Sequence, residues 1–250
     1  MSDPAPRLQV GRPRPGVALV TMDRPDKRNA MDPRFFHELI AVMGQLGADP
    51  AVRACVITGA GPAFSAGGDL ASFAELHDTA DHRRQLSLVF DAFGSVERAG
   101  AVVVAAVNGV AYAGGLELVL ACDLAVAAAG ARFAFKEVAV GLMPAFGMLR
   151  ARQRIGEGWA RHLVLSADDI DAHQAERLGL VQQVVPDDEV VEVALGLAER
   201  IAAHPPLGPA VAKQVLSMGL DAGDVAAREA TAMLFATEEH RAAVERFLAR

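Results

Sequence analysis

The run VVVAAVNGVAYAGGLELVLACDLAVAA (102–128) holds a strand, a glycine-opened helix and a second strand in one continuous apolar stretch. VVVAAVNG (102–109) and DLAVAA (123–128) are short and rich in valine and alanine, as strands buried on both faces are. Between them, residues 115–122 are predicted to form a short buried helix that starts at the glycine pair Gly114 and Gly115. A strand–helix–strand succession of this length is a crossover unit, and it assigns the chain to the α/β class. One residue stands out in it. Glu117 is flanked by Leu116, Leu118 and Val119, and a buried carboxylate without a partner costs several kcal/mol or gives up its charge.

Outward from this stretch the alternation continues. VALVTM (17–22), VRACVITG (52–59) and VQQVVP (181–186) read as further strands, while PRFFHELIAVMGQLGAD (33–49), closed by Gly47, and residues 74–99 carry apolar residues at helical spacing. From about Asp187 the chain turns alanine-rich, charged and helical, interrupted at HPPLGP (204–209). The expected organisation is a core over residues 1–190 and a helical C-terminal subdomain over 191–250.

The chain has 250 residues, 52% of them hydrophobic and 22% charged, enough for a sizeable core in an ordinary globular protein. Aromatic residues make up 5% and the net charge is −7, which argues against stacked-base recognition or a surface-wide polyanion groove. No run reaches the ~20 uninterrupted apolar residues of a membrane span; the longest is broken by Asn108, Glu117 and Asp123. The N-terminus lacks the apolar segment of a signal peptide, and Cys55 and Cys122 sit in apolar runs as buried thiols. A cytoplasmic protein without nucleic-acid or membrane partners is expected.

Several motifs fail on inspection. TGAGPAF (58–64) begins like a dinucleotide fingerprint, but Phe64 replaces the third glycine. AFSAG (63–67) resembles a nucleophile elbow around Ser65 yet has Ala63 where glycine is needed. The histidines are scattered; His77 and His82, five apart, would not share a helix face, so surface positions and no metal site are expected. What survives is three segments: FSAGGDL (64–70), the Gly114–Gly115 helix start, and FKEVAVGLMP (135–144) with Glu137. Glycine loops and helix N-termini present free N–H groups that can stabilise a developing oxyanion. Glu117 lies close to such a site. Glu137 lies one strand and turn further on, near enough to share one small cavity unless Arg132 or Lys136 pairs with it.

DRPDKRNAMD (23–32), FSAGGDL, AVNGVAYAGGLELVLACDLAVA (106–127), ARFAFKEVAVGLMPAFG (131–147) and AERLGLVQQVVP (175–186) together resemble the enoyl-CoA hydratase/isomerase (crotonase) superfamily over nearly the whole chain. The resemblance implies a crotonase-like spiral of ββα turns with a helical C-terminal oligomerisation subdomain, and a homotrimer or dimer of trimers. It implies an acyl-CoA thioester substrate, with coenzyme A as part of that substrate and no separate cofactor. The Gly68 and Gly114 amides would form the oxyanion hole, with Glu117 and Glu137 as the catalytic pair and Glu137 as the protonated acid. Lys27, Arg28, Ala30, Ala66, Asp69, Leu70, Phe247 and Arg250 would contact CoA. Retention of both glutamates implies hydration of 2-enoyl-CoA to 3-hydroxyacyl-CoA, with an isomerase, another crotonase-type lyase or a non-catalytic acyl-CoA binder as alternatives.

Three departures from the family pattern bear on this. Lys136 replaces a proline and would place an ammonium beside Glu137. The P-G-x-G-G pattern becomes Pro144-Ala145-Phe146-Gly147-Met148, with larger groups by the acyl pocket, and Ala242-Ala243 replaces the C-terminal E-G pair.

Overall fold

A computed structural model of the chain describes residues 5–74, 76, 78–216, 232–233 and 235–249. Among the described residues, ten strands form two sheets. The larger contains, in spatial order, β1 (Leu8–Arg14), β2 (Val17–Met22), β3 (Ala54–Gly59), β5 (Val102–Val107), β7 (Leu124–Ala128) and β10 (Gln183–Val185). The smaller orders β4 (Ala63–Ser65), β6 (Val110–Tyr112), β8 (Arg132–Ala134) and β9 (Ile170–Asp171). Each turn of the spiral gives one strand to each sheet: β3 then β4, β5 then β6, β7 then β8. The α/β class and the ββα spiral are therefore both present.

The central pairings are parallel, with Ala54 opposite Val102 and Val104 opposite Leu124. Every residue of β3 and β5 is buried, which is why these runs show no polar alternation. The helices α1 (Pro33–Ala48), α2 (Leu70–Ala74), α3 (Thr79–Glu97), α4 (Gly114–Ala121), α5 (Gly147–Ser166) and α6 (Ala172–Arg177) follow the turns. Asp32 caps α1 by accepting from the Phe35 amide at 2.9 Å. In the C-terminal stretch, α7 (Val190–Ala202) lies against β2, β3, β5 and β7, α8 (Leu207–Leu216) follows, and α9 (Glu238–Leu248) packs against α2 and the turn bearing Glu137.

Two expectations are corrected. His82 and His240 are buried rather than on the surface, stacked or edge-packed against Phe235 at 4.5 and 5.0 Å; an imidazole beside an aromatic ring buries well when neutral. His77 lies outside the described residues. Gly47 does not close α1, which runs on to Ala48 because a single glycine is tolerated inside a helix. Cys55 and Cys122 are free and buried, as expected. No helix among the described residues is long and apolar enough to cross a membrane.

Candidate active site

The FSAGGDL loop is pinned from beneath. The buried Ser65 hydroxyl donates to Asn29 O at 2.8 Å and accepts from the Gly67 amide at 3.1 Å. Ser65 therefore holds backbone; it is fully buried rather than presented as a nucleophile. Met31 N–H donates to Gly67 O at 2.8 Å and Asp69 N–H to Met31 O at 2.9 Å, which bypasses the amide of Gly68. Gly67 has φ +99, and a Cβ there would stand 2.8 Å from both the Ala113 Cβ and the Tyr112 carbonyl oxygen. That close approach brings the loop against the start of α4.

Gly114 opens α4, so its N–H has no acceptor within the helix. A Cβ built on Gly114 would lie 3.5 Å from the Gly68 nitrogen, so the two glycine amides are neighbours. The residue between the loops, Ala113, sits at φ 50 and ψ −122, a strained conformation for alanine.

Both glycines line a cavity of about 770 Å³, and so do Glu117 and Glu137. Its walls are mostly apolar, with Leu86, Val89, Phe90, Phe93, Leu142 and Phe146 among them. Glu117, one turn into α4, is 7% exposed, and its Oε1 accepts from the Phe146 amide at 3.0 Å and the Gly147 amide at 2.7 Å. Glycine is required at 147: a Cβ would lie 2.8 Å from the Glu117 Cγ and 2.9 Å from the Phe135 ring. Burial pushes the Glu117 carboxyl up to about 7, against the pull of those two amides and of the Arg150 charge.

Glu137 begins the 3-10 turn Glu137–Val140. Its Oε2 is buried with no hydrogen-bond partner. Burial first, and then the neighbouring Glu117 charge, raise it well above the usual carboxylate range. The two acids thus share one cavity in different surroundings. Glu117 is held by two amides that favour an ionised carboxylate, whereas burial, a partnerless oxygen and the Glu117 charge outweigh the backbone N–H groups near Glu137 and favour its neutral acid.

The ammonium of Lys136 does not reach Glu137. It pairs with Asp169, donates to Ala167 O at 2.7 Å and lies 5.4 Å from the Tyr112 ring centre. Asp169 also accepts from the Tyr112 hydroxyl at 2.5 Å. This carboxylate draws the lysine away from Glu137, so the expected ionising effect is absent. Of the larger groups expected by the pocket, Ala145 and Phe146 line the cavity and Met148 does not.

Lys27, Arg28, Ala30, Ala66, Asp69 and Leu70 all line the same cavity. Asp69 is not free, since its carboxylate pairs with Arg24 at 2.7 Å. Phe247, by its side chain, and Arg250 lie outside the described residues. Arg246 and Leu248 of α9 line the cavity instead. Sequence reasoning missed Arg246, and it missed Arg150 and Glu97, whose ion pair stands behind Phe146; a contact between residues 53 apart in sequence leaves no local signal.

The family model for enoyl-CoA hydratase/isomerase matches residues 12–249. The chain belongs to the enoyl-CoA hydratase/isomerase family. It is 38% identical over 240 residues to the 2,3-dehydroadipyl-CoA hydratase of Escherichia coli K12, covering 93% of this chain and 92% of that one. The crystal structure of an enoyl-CoA hydratase/isomerase from Mycobacterium paratuberculosis superposes with a TM-score of 0.89 at 32% identity, covering 97% of this chain and 98% of that one. A monofunctional enoyl-CoA isomerase from M. smegmatis superposes with a TM-score of 0.75 at 34% identity, over 90% of this chain and 98% of that chain. This family membership makes the chain a crotonase-type enzyme acting on acyl-CoA thioesters, which agrees with its glycine loops and paired acids.

Proposed function

We propose that this enzyme hydrates 2-enoyl-CoA thioesters to 3-hydroxyacyl-CoA. The observation that carries the reading is the pair Glu117 and Glu137 in one apolar cavity, one acid held by two N–H donors on a single oxygen and the other with a buried oxygen that has no partner. The Gly68 and Gly114 amides receive the thioester oxygen as negative charge develops on it, lowering the barrier selectively. Glu117, ionised and fixed through Oε1, takes a proton from water as the hydroxyl adds to Cβ. Glu137 gives its proton to Cα. The two carboxyls have then exchanged protonation states, and a proton transfer through solvent restores them.

Lys27, Arg28, Ala30, Ala66, Asp69 and Leu70 hold the CoA moiety on this reading, with coenzyme A as part of the substrate rather than a cofactor. The chains assemble as a homotrimer or a dimer of trimers in the cytoplasm. The relative named a hydratase supports hydration, while the neighbour named an isomerase supports the second reading, movement of a 3-enoyl double bond.

Loss of the conjugated enoyl absorbance of crotonyl-CoA and its longer homologues tests the proposal. Hydration is expected, with Glu117→Gln and Glu137→Gln each lowering kcat by about 10²–10⁴. If no enoyl-CoA of any length is hydrated, the reading fails. Faster turnover of a 3-enoyl-CoA would replace it with isomerisation.

A further inference from the structure

The peptide joining Phe146 to Gly147 has a charged group at each end. Its N–H, on Gly147, donates to Glu117 Oε1 at 2.7 Å. Its carbonyl, on Phe146, accepts from Arg150 Nη1 at 2.8 Å. The guanidinium carbon of Arg150 also lies 3.4 Å from the centre of the Phe146 ring. On its remaining edge the same group grips Glu97, Nε to Oε1 at 2.5 Å and Nη2 to Oε2 at 2.8 Å. The pair is deeply placed, with side chains 5% and 17% exposed. A buried ion pair is weak evidence of stability, because an apolar pair of similar volume often does as well. Its position one peptide away from an active-site acid calls for another reason.

We propose that Arg150 is a positioning residue, which fixes the orientation and ionisation of the Glu117 carboxylate through the Phe146–Gly147 peptide, while Glu97 tunes it by neutralising part of its charge. The proposal rests on the reading of Glu117 as the base of hydration. A cation at the carbonyl oxygen polarises the peptide and makes its N–H a stronger donor to the carboxylate. Acting through a peptide, Arg150 supports the ionised form without a direct salt bridge, which would cover the carboxylate that must meet water. The planar fork allows this arrangement: one edge of the guanidinium serves Phe146 O, another serves Glu97, and its flat face lies on the Phe146 ring. A lysine could supply the charge but not all three contacts.

Few charged groups face Glu117. Glu137 approaches from the 3-10 turn and Arg150 from α5, with Glu97 of α3 behind Arg150. Burial is the largest influence on Glu117 and raises it, and the Arg150 charge opposes that rise. Removing Arg150 therefore has one sign and removing Glu97 has the other. Without Arg150 the ionised carboxylate loses support. Without Glu97 the full Arg150 charge is felt at the peptide, and the carboxylate ionises more readily.

The test is infrared titration of the Glu117 carboxyl in the free full-length enzyme, as wild type minus Glu117→Gln, beside the pH profile of kcat on crotonyl-CoA. Arg150→Gln is expected to move the titration and the acidic limb of kcat to higher pH by about one unit, lowering kcat about fivefold at pH 7 with KM changed less than about twofold. Glu97→Gln is expected to move both to lower pH, and Arg150→Lys to recover most of the Arg150→Gln shift. A pair that merely clamps the fold would give two loosened variants shifted in the same direction, or a rise in KM. Shifts of one sign, or an unmoved titration in both variants, overturn the proposal. Failure of the wild type to hydrate any enoyl-CoA would instead remove the functional reading and leave the infrared result to be judged separately.

Discussion

A carboxyl that titrates near neutrality in the folded state makes folding depend on pH in a direction that can be worked out. Glu117 is raised to about 7 from an ordinary 4.5. Its burial costs nothing while it is protonated in both states, below the ordinary value, and stability is lost as pH rises through the folded value. An uncharged Glu117→Gln, which can still accept from Phe146 and Gly147 through its amide oxygen, should therefore match the wild type near pH 4 and exceed it by about 3 kcal/mol at pH 8. Calorimetry at the two pH values checks this, and an equal difference at both would show that burial is not the cause. The acid was legible from its neighbours, because a helix turn of Leu116, Leu118 and Val119 leaves Glu117 no polar surroundings of its own. Glu137 was legible as a nearby acid from the short connection that follows Glu117, and the family resemblance gave it its role as the protonated acid. Its partnerless oxygen depends on where β8 ends and on Lys136 turning towards Asp169, and both are tertiary facts.

At the scale of elements, the long buried strands and the short β10, inside VQQVVP, were legible, and the other short strands were not. β4, β6 and β8 are three residues each and β9 is two, too few for any period to show. β1 carries Pro13 at an edge where its register shifts, a place that tolerates a missing N–H. α5 carries Gly156 at φ 76, where the helix kinks, and its many charges hide its periodicity. The C-terminal α9 was expected as a helix, but its role as a brace was not. His240 Nδ1 donates to Val140 O at 2.6 Å, and a Cβ on Gly141 would lie 3.0 Å from the His240 Cα. α9 therefore holds the end of the turn that begins with Glu137. Burial lowers the titration of both His240 and His82, and for His82 the nearby His240 adds to the effect while Asp81 and Asp78 oppose it. A lowered base gives stability that is present above its ordinary value of 6.5 and lost as pH falls through the folded value. Hydrogen exchange in α9, corrected for intrinsic rate, should rise between pH 7 and pH 5 while β5 stays protected. His240→Ala should bring that loss to pH 7 and lower kcat severalfold; unchanged exchange in α9 would show that the contact does not brace the turn.

For the molecule as a whole, the difficulty is that a chain of net charge −7 has to hold a polyanionic substrate. The overall field repels CoA, so any attraction must come from cations local to the cavity mouth. Lys27, Arg28 and Arg246 line the cavity and are exposed. Arg28 is held in the left-handed region at φ 50, at the end of the 3-10 turn Pro25–Lys27. That turn is tied to the catalytic loop by Ala66 N–H, which donates to Arg28 O at 2.9 Å. Lys27 and Arg28 are thus set on the same backbone that orients Gly68, and on the proposed reading their place in the spiral, rather than the net charge, draws an acyl-CoA in. Exposed charges contribute modestly one at a time, at about 0.2–1 kcal/mol per pair. Reversing both in Lys27→Glu/Arg28→Glu should raise KM for an acyl-CoA about tenfold with kcat nearly unchanged, since neither group reaches the reacting carbons. The wild-type KM should climb with ionic strength as screening removes the attraction, and the variant's should climb less or fall. For an acyl-pantetheine lacking the nucleotide, wild type and variant should show the same KM at every salt concentration. A variant whose KM rose equally for both substrates would mean that the reversal had disturbed the FSAGGDL loop rather than the field at the cavity mouth.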